Sequence, residues 1–132
     1  MHGSSNPSKP NLKRYLDQNL TKIPSYYNYG SRIAQVLHAR LRMSSSSLNE
    51  HLFRKNLTDS NLCSCGEIES NKHFLLECWN YTLLRQRTIE TLPYNYTLEN
   101  LLFGNELLTD DENKNIFLQV QSFIVDSKRF GL

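Results

Sequence analysis

No apolar run in this chain approaches the roughly 20 residues that a membrane-spanning helix needs. The opening Met1-His-Gly-Ser-Ser-Asn-Pro-Ser-Lys-Pro10 has no apolar stretch behind its charge, which argues against a secretory signal. We expect residues 1–10 to be disordered and the protein to be intracellular, nuclear or cytoplasmic, without a membrane partner. Cysteine is scarce: there are three, an odd count that argues against a disulfide framework. Two of them, Cys63 and Cys65, are too close to bridge each other without a strained ring. There is no phosphate-cradling Gly-rich loop, no dinucleotide fingerprint and no Ser/His/Asp order. Nothing repeats along the chain, and no stretch alternates as a half-buried strand would. These absences point away from an enzyme and from a small-molecule substrate.

What is present is an aromatic-rich chain of 132 residues, about one domain's worth, with seven Tyr, six Phe and one Trp. Its net charge of +2 conceals an asymmetry. Residues 1–62 hold nine Lys and Arg against three Asp and Glu, whereas residues 63–132 hold six against ten. A basic half beside an acidic half suits a polyanionic partner on one side.

Apolar spacing predicts helices throughout. Leu12, Tyr15, Leu16 and Leu20 share a face within Asn11–Leu20. Ser31 reads as the cap of a helix reaching Met43, with Ile33, Leu37 and Leu41 on its apolar side. Arg32, Gln35, His38 and Arg42 fall on the opposite side. Ser47-Leu-Asn-Glu50 has the pattern of a capping box, which would turn Leu48, Leu52 and Phe53 inward. Ser70 is a candidate cap for a helix carrying His73 to Cys78. A helical stretch from Tyr81 should end before Pro93, and a short helix from Thr97 should stop at Gly104. Thr109-Asp-Asp-Glu112 is a second capping box, opening the longest helix, with Ile116, Phe117, Val120, Phe123 and Ile124 as its stripe. The expected fold is all-α. A basic helical segment (11–62) would be followed by a metal knuckle (63–78) and a C-terminal helical segment (79–132), forming one compact domain from about residue 11.

The chemistry-bearing pattern is Cys63-x-Cys65-x7-His73-x4-Cys78. Thiolate and imidazole are the donors zinc prefers, and it takes four of them in a tetrahedron. Cys63 and Cys65 can point inward from a turn that Gly66 completes. His73 and Cys78 come from the start and end of one helical segment. Their separation of five residues does not suit one α-helical face, so the helix should distort or end near Cys78. Four protein ligands leave no open position, which makes the ion structural.

The stretch Leu62-Cys-Ser-Cys-Gly-Glu-Ile-Glu-Ser-Asn-Lys-His73-Phe-Leu-Leu-Glu-Cys78-Trp-Asn-Tyr81 resembles the zinc-knuckle-like segment near the C-terminus of LINE-type, jockey-like retrotransposon reverse transcriptases. Gly30 to Met43 and Ser47 to Leu52 resemble the helical segment that precedes it there. Leu101-Leu-Phe-Gly104, Ile116-Phe117, Val120 to Ile124 and Lys128-Arg-Phe130 resemble the end of such polyproteins. The similarity spans about residues 11–130. It implies that Cys63, Cys65, His73 and Cys78 are the zinc ligands. It also implies a region beyond the polymerase that helps hold template RNA or target DNA. A polymerase itself needs a metal-binding carboxylate cluster and far more chain. The acidic doublet Asp110-Asp111 reads instead as a helix N-terminus within its capping box.

The residues expected to meet phosphates are Arg32, Arg40, Arg42, Arg54 and Lys55, with Lys13, Arg14 and Lys22 in support. Tyr26, Tyr27, Tyr29 and Trp79 can stack on unpaired bases or fill the core, and the core is the stronger expectation for each. His38 and His51 read as surface or packed residues, and His2 lies in the floppy start. The expected function is thus a non-catalytic, zinc-stabilised module that binds RNA or DNA. The alternatives are a protein-interaction module, docking for instance on the polymerase part of a parent polyprotein, and a transposon relic.

Overall fold

Three hydroxyl side chains fix where helices begin. Ser31 Oγ accepts from the Ala34 amide at 3.2 Å and starts α1 (Arg32–Arg42). Thr97 and Asn100 cap each other reciprocally and start α4 (Leu98–Phe103). Thr109 and Glu112 do the same for α5 (Asp110–Asp126), with Asp110 and Asp111 in its first turn. Between these lie α2 (Asn49–Arg54) and α3 (Thr82–Arg87). Short 3-10 turns occur at Ser25–Asn28, Trp79–Tyr81 and Ile89–Thr91, and one π-helical turn at His73–Glu77. The computed structural model describes residues 23–131. The expectations for residues 1–10, the helix Asn11–Leu20, His2, Lys13, Arg14 and Lys22 lie outside them.

The fold is all-α, as expected. Among the described residues the one β pairing is an isolated antiparallel bridge, Leu62 to Ile68. α5 is the central element. Ile116, Phe117, Val120, Phe123 and Ile124 are buried along it, against α1, α3, α4 and the turns at Ser25–Asn28 and Ile89–Thr91. Phe117 meets Tyr26 edge-on and stacks on Tyr27, and Phe123 meets Phe74 and Tyr81. Each such buried aromatic contributes about 1.5–3 kcal/mol through area alone. Tyr26 and Tyr27 are therefore core-packing residues. Gly104 ends α4 with φ +84, and a Cβ there would lie 2.5 Å from the Tyr26 ring, so both backbone and space require glycine.

Two expected faces are corrected by long-range partners. On α1 the buried stripe is Ala34, Leu37, His38 and Leu41, while Ile33 is 46% exposed. His38 turns inward because α4 and α5 supply partners. Its Nε2 donates to the Leu101 carbonyl at 2.8 Å, and its Nδ1 faces the Gln121 amide at 3.4 Å. The Ser47–Glu50 box does not form, and α2 begins after Leu48. Ser46 Oγ accepts from the Leu48 amide, and Glu69 takes the next two amides. Its Oε1 accepts from Asn49 at 2.7 Å and its carbonyl from Glu50 at 3.2 Å. An ionised carboxylate is a stronger acceptor than a serine hydroxyl. Glu50, released from capping, pairs with Arg54 at 3.3 Å. Leu48 is buried as expected and Leu52 half-buried, but Phe53 is exposed and His51 takes the inner position.

Glu69 also closes the molecule. Arg129 donates Nε and Nη2 to its two oxygens, each at 2.7 Å, and Nη2 reaches the Ser47 carbonyl at 2.9 Å. The pair is buried on the Glu69 side and partly so on the Arg129 side. Removing one partner strands the other, so Glu69→Gln should cost about 3 kcal/mol in urea unfolding. A loss below about 1 kcal/mol would place the pair with ordinary surface ion pairs.

His38 makes stability depend on pH. Burial, helped by the Arg42 charge, holds its pKa down at about 3, although the Leu101 hydrogen bond works the other way. The unfolded imidazole keeps its ordinary value of 6.5. Its contribution is therefore fully present above the unfolded value. As pH falls towards about 3 the unfolded chain takes up a proton that the folded one refuses. This site should remove about 1.4 kcal/mol per pH unit over that window. In urea unfolding between about pH 7 and about pH 5, where the unfolded imidazole is only partly protonated at the upper end, His38→Gln should show a shallower slope than the wild type by about 1 kcal/mol per pH unit. Equal slopes would show that His38 does not titrate with unfolding.

Candidate metal centre

A tight hairpin presents the first two ligands. The Cys63 amide donates to the Glu67 carbonyl at 2.7 Å, and the Gly66 amide to the Cys63 carbonyl at 2.9 Å. Gly66 has φ +101, a conformation that side chains disfavour, while a Cβ there would meet nothing within 4 Å. Glycine is thus required for the turn and not for room. The Leu62–Ile68 bridge and the Glu69 amide on the Asn61 carbonyl close the hairpin base.

The other two ligands come from the π-helical turn. Ser70 Oγ accepts from the His73 amide at 3.1 Å, as a cap should. The Cys78 amide then reaches back five residues to the His73 carbonyl at 2.7 Å. Such i to i+5 turns are rare and gather at functional sites. Here the wider turn brings residues five apart onto one side, so the spacing that strained an α-helix fits. Phe74 and Leu75, inside the turn, are fully buried and fasten it to the core.

The four donor atoms of Cys63, Cys65, His73 and Cys78 all lie within 4.8 Å of one another. Cys63 Sγ is 3.7 Å from Cys78 Sγ, and Cys78 Sγ is 3.9 Å from Cys65 Sγ. His73 Nε2 is 3.1 Å from Cys65 Sγ. A tetrahedral ion with metal–sulfur bonds of about 2.3 Å and a metal–nitrogen bond of about 2.0 Å sets edges of roughly 3.8 Å between sulfurs and roughly 3.6 Å from sulfur to nitrogen. The two sulfur edges through Cys78 already fit, and the Cys65–His73 edge needs to open by about half an ångström. All three cysteines are free, and their separations are far beyond a disulfide bond. The group can hold a metal ion.

Burial pushes the Cys78 thiol up to about 12. Burial also opposes ionisation of Cys63, but the Cys65 amide and the Cys65, Cys78 and Ser64 side chains outweigh it and lower its pKa. A cation entering this cluster therefore displaces protons from thiols.

Sequence reasoning missed Arg85. It is buried on α3, and its guanidinium donates to the Phe74, Leu75 and Cys78 carbonyls. One of two arginines on a six-residue helix gives no such signal. The turn after Cys78 is also tied to the hairpin, through Asn80 Nδ2 and Ser64 Oγ at 3.1 Å. Trp79, beside Cys78, is 74% exposed, and Tyr29 37%, so the core expectation holds for Tyr26 and Tyr27 and is corrected for these two.

The five basic residues do not converge as the ligands do. Arg32 and Arg40 are exposed on α1, about 12 Å apart along its axis. Arg40 borders a shallow depression with Leu37, Ser45, Ser46, Ser47, Leu52 and Phe130. Arg54 and Lys55 are exposed at the end of α2. Arg42 is half-buried: it donates to the Leu102 carbonyl at 2.8 Å and lies 4.4 Å over the Tyr27 ring. Among the described residues no helix is long and apolar enough to cross a membrane.

Comparison with protein-family models, curated proteins and solved structures finds no match to this chain.

A divalent ion at about 100 times its dissociation constant should stabilise the chain by about 2.7 kcal/mol. That corresponds to a rise of on the order of 10 °C in the unfolding midpoint, read by circular dichroism. Cys65→Ser should lose most of the rise. An ion-independent midpoint in the wild type would rule out binding at the cluster.

Proposed function

We propose that the centre holds one Zn2+ and that the chain is a non-catalytic nucleic-acid-binding module of the kind found in the retrotransposon region it resembles. The Cys3His cluster, with sulfur separations of 3.7 and 3.9 Å, carries this reading. Three thiolates and an imidazole are the donor set of a structural zinc site, and four protein donors leave no place for a reacting water. Bound there, zinc would fix the hairpin to the π-helical turn. The phosphate contacts would fall mainly on Arg32, Arg40, Arg54 and Lys55, since Arg42 is engaged with Leu102 and Tyr27. Exposed Trp79 is the aromatic best placed to stack on an unpaired base.

A second reading is favoured by one observation. Trp79 and Leu83 are both more than 70% exposed and four residues apart, an apolar pair that a protein partner would cover. The parent polymerase is the partner this reading names.

Native mass spectrometry should find one zinc per wild-type chain, removed by a strong chelator and missing in Cys65→Ser. Fluorescence anisotropy with labelled single-stranded RNA and duplex DNA then separates the two readings. Four phosphate contacts predict a log–log salt slope of about −3 on single strands. Replacing Arg40, Arg54 and Lys55 together by Ala should reduce that slope by about 2. Absence of zinc sinks the metal reading. Zinc without salt-sensitive binding to either nucleic acid favours the protein partner.

A further inference from the structure

We propose that Arg85 is the positioning residue and counter-charge of the metal centre: its guanidinium holds the His73–Cys78 turn in ligand-presenting register and balances the thiolates. The inference rests on the metal reading above and deepens it.

The geometry begins with the backbone. Because the Cys78 amide bonds to the His73 carbonyl, it does not take the Phe74 carbonyl, as it would in an α-helix. The turn stops at Cys78, whose own conformation is extended. The carbonyls at its end therefore need other donors, and they lie among buried side chains where water cannot serve. Arg85 supplies them. Nε donates to Leu75 at 2.9 Å, and Nη2 to Phe74 at 3.3 Å and to Cys78 at 3.0 Å. One planar fork thus spans the stretch between the two ligands. If the turn reverted to α-helical spacing, His73 and Cys78 would diverge around the helix axis.

The charge is the second observation. Arg85 is only 5% exposed. Among the described residues the ion pairs are Glu50–Arg54, Lys72–Glu77 and Glu69–Arg129, so Arg85 makes no direct ion pair, and the Glu90 carboxylate acts on it only at longer range. A buried cation without a counter-charge is costly. Three thiolates and a neutral imidazole around a divalent ion carry a net charge of −1. The Cys78 peptide that Arg85 grips belongs to one of those thiolates. Against burial, the Glu90 carboxylate favours the Arg85 charge, as does Cys78. A metal–thiolate centre adds its −1 to that balance, and cation and centre each offset part of the other's burial cost.

The test compares wild type, Arg85→Lys and Arg85→Gln in the full chain. Zn2+ affinity is measured by competition with a chromophoric chelator, Co2+ absorption reports coordination geometry, and the pH of metal release is read alongside. Arg85→Gln should lose about 10–100-fold in affinity, release metal at a higher pH, and show a changed Co2+ spectrum. Arg85→Lys keeps the charge but not the fork, so its affinity should fall between the two and its release pH should stay near wild type. Leu101→Ala, which weakens the fold through a buried side chain of α4 and not through the ligand hairpin or its turn, is the control for general destabilisation. A loss in Arg85→Gln no greater than in that control overturns the proposal, as does wild-type affinity and release pH. Should Arg85→Gln fail to fold, Arg85→Lys decides: wild-type affinity and spectrum there overturn the register role. A wild-type chain that takes up no metal overturns both this proposal and the metal reading, whereas metal uptake unaffected by Arg85 overturns this one alone.

Discussion

The Cys78 amide bonds to the His73 carbonyl across five residues, at 2.7 Å. That one extra residue in the turn has consequences in both directions. Toward the hairpin, it carries Cys78 round to the side of His73, so that two donors from a helix meet two donors from a turn. Toward the interior, it leaves the Phe74 and Leu75 carbonyls without the amides an α-helix would give them. A π-helical turn normally survives only where the surroundings hold it. Here the hold comes from fully buried Phe74 and Leu75 on one side and the Arg85 fork on the other.

The ligands and the core are consequently one cooperative unit. Phe74, between His73 and Cys78 in sequence, packs against Phe123 of the central helix and against Tyr81 and Phe130. Glu69, at the base of the ligand hairpin, caps α2 and receives Arg129 from beyond the end of α5. Loosening the hairpin would therefore release the start of one helix and the anchor of another. An ion closing four donors in such a place adds its binding free energy to folding, because the unfolded chain does not hold the donors together.

Local signals in the sequence transferred well to the structure. Ser31, Ser70, Thr97 and Thr109 each bond to the amide three residues on, so proximity alone decides the outcome. The four metal-ligand candidates were legible for a similar reason: thiolate and imidazole spacing advertises itself, and the awkward separation of five residues foretold a distorted helix. Ser47 failed because its competitor, the Glu69 carboxylate, lies twenty residues downstream of the Asn49 amide it captures. His38 is packed, one of the two readings expected of it, but its placement on the polar side of α1 failed because its partners, Leu101 and Gln121, lie more than sixty residues away. Arg42 and Arg85 look in sequence like any solvated basic residue, and only the positions of distant carbonyls reveal that they face inward. Polar residues are the hardest to place from sequence, since their burial depends on partners that periodicity does not encode.

That distinction bears on the nucleic-acid reading. A Cys3His centre with a divalent ion is itself anionic and does not attract phosphate. With an ion bound and Arg85 beside it the centre would be close to neutral, which would place the knuckle among rigidifying elements and not among electrostatic ones. Attraction to a polyanion would then have to arise from Arg32, Arg40, Arg54 and Lys55, on helices that precede the knuckle. The knuckle's contribution would be to hold Trp79 at the surface immediately after a metal ligand, on a turn too constrained to collapse over the ring. Charge and aromatic surface would be supplied by different parts of the fold, and the metal would connect them mechanically through Glu69 and α2.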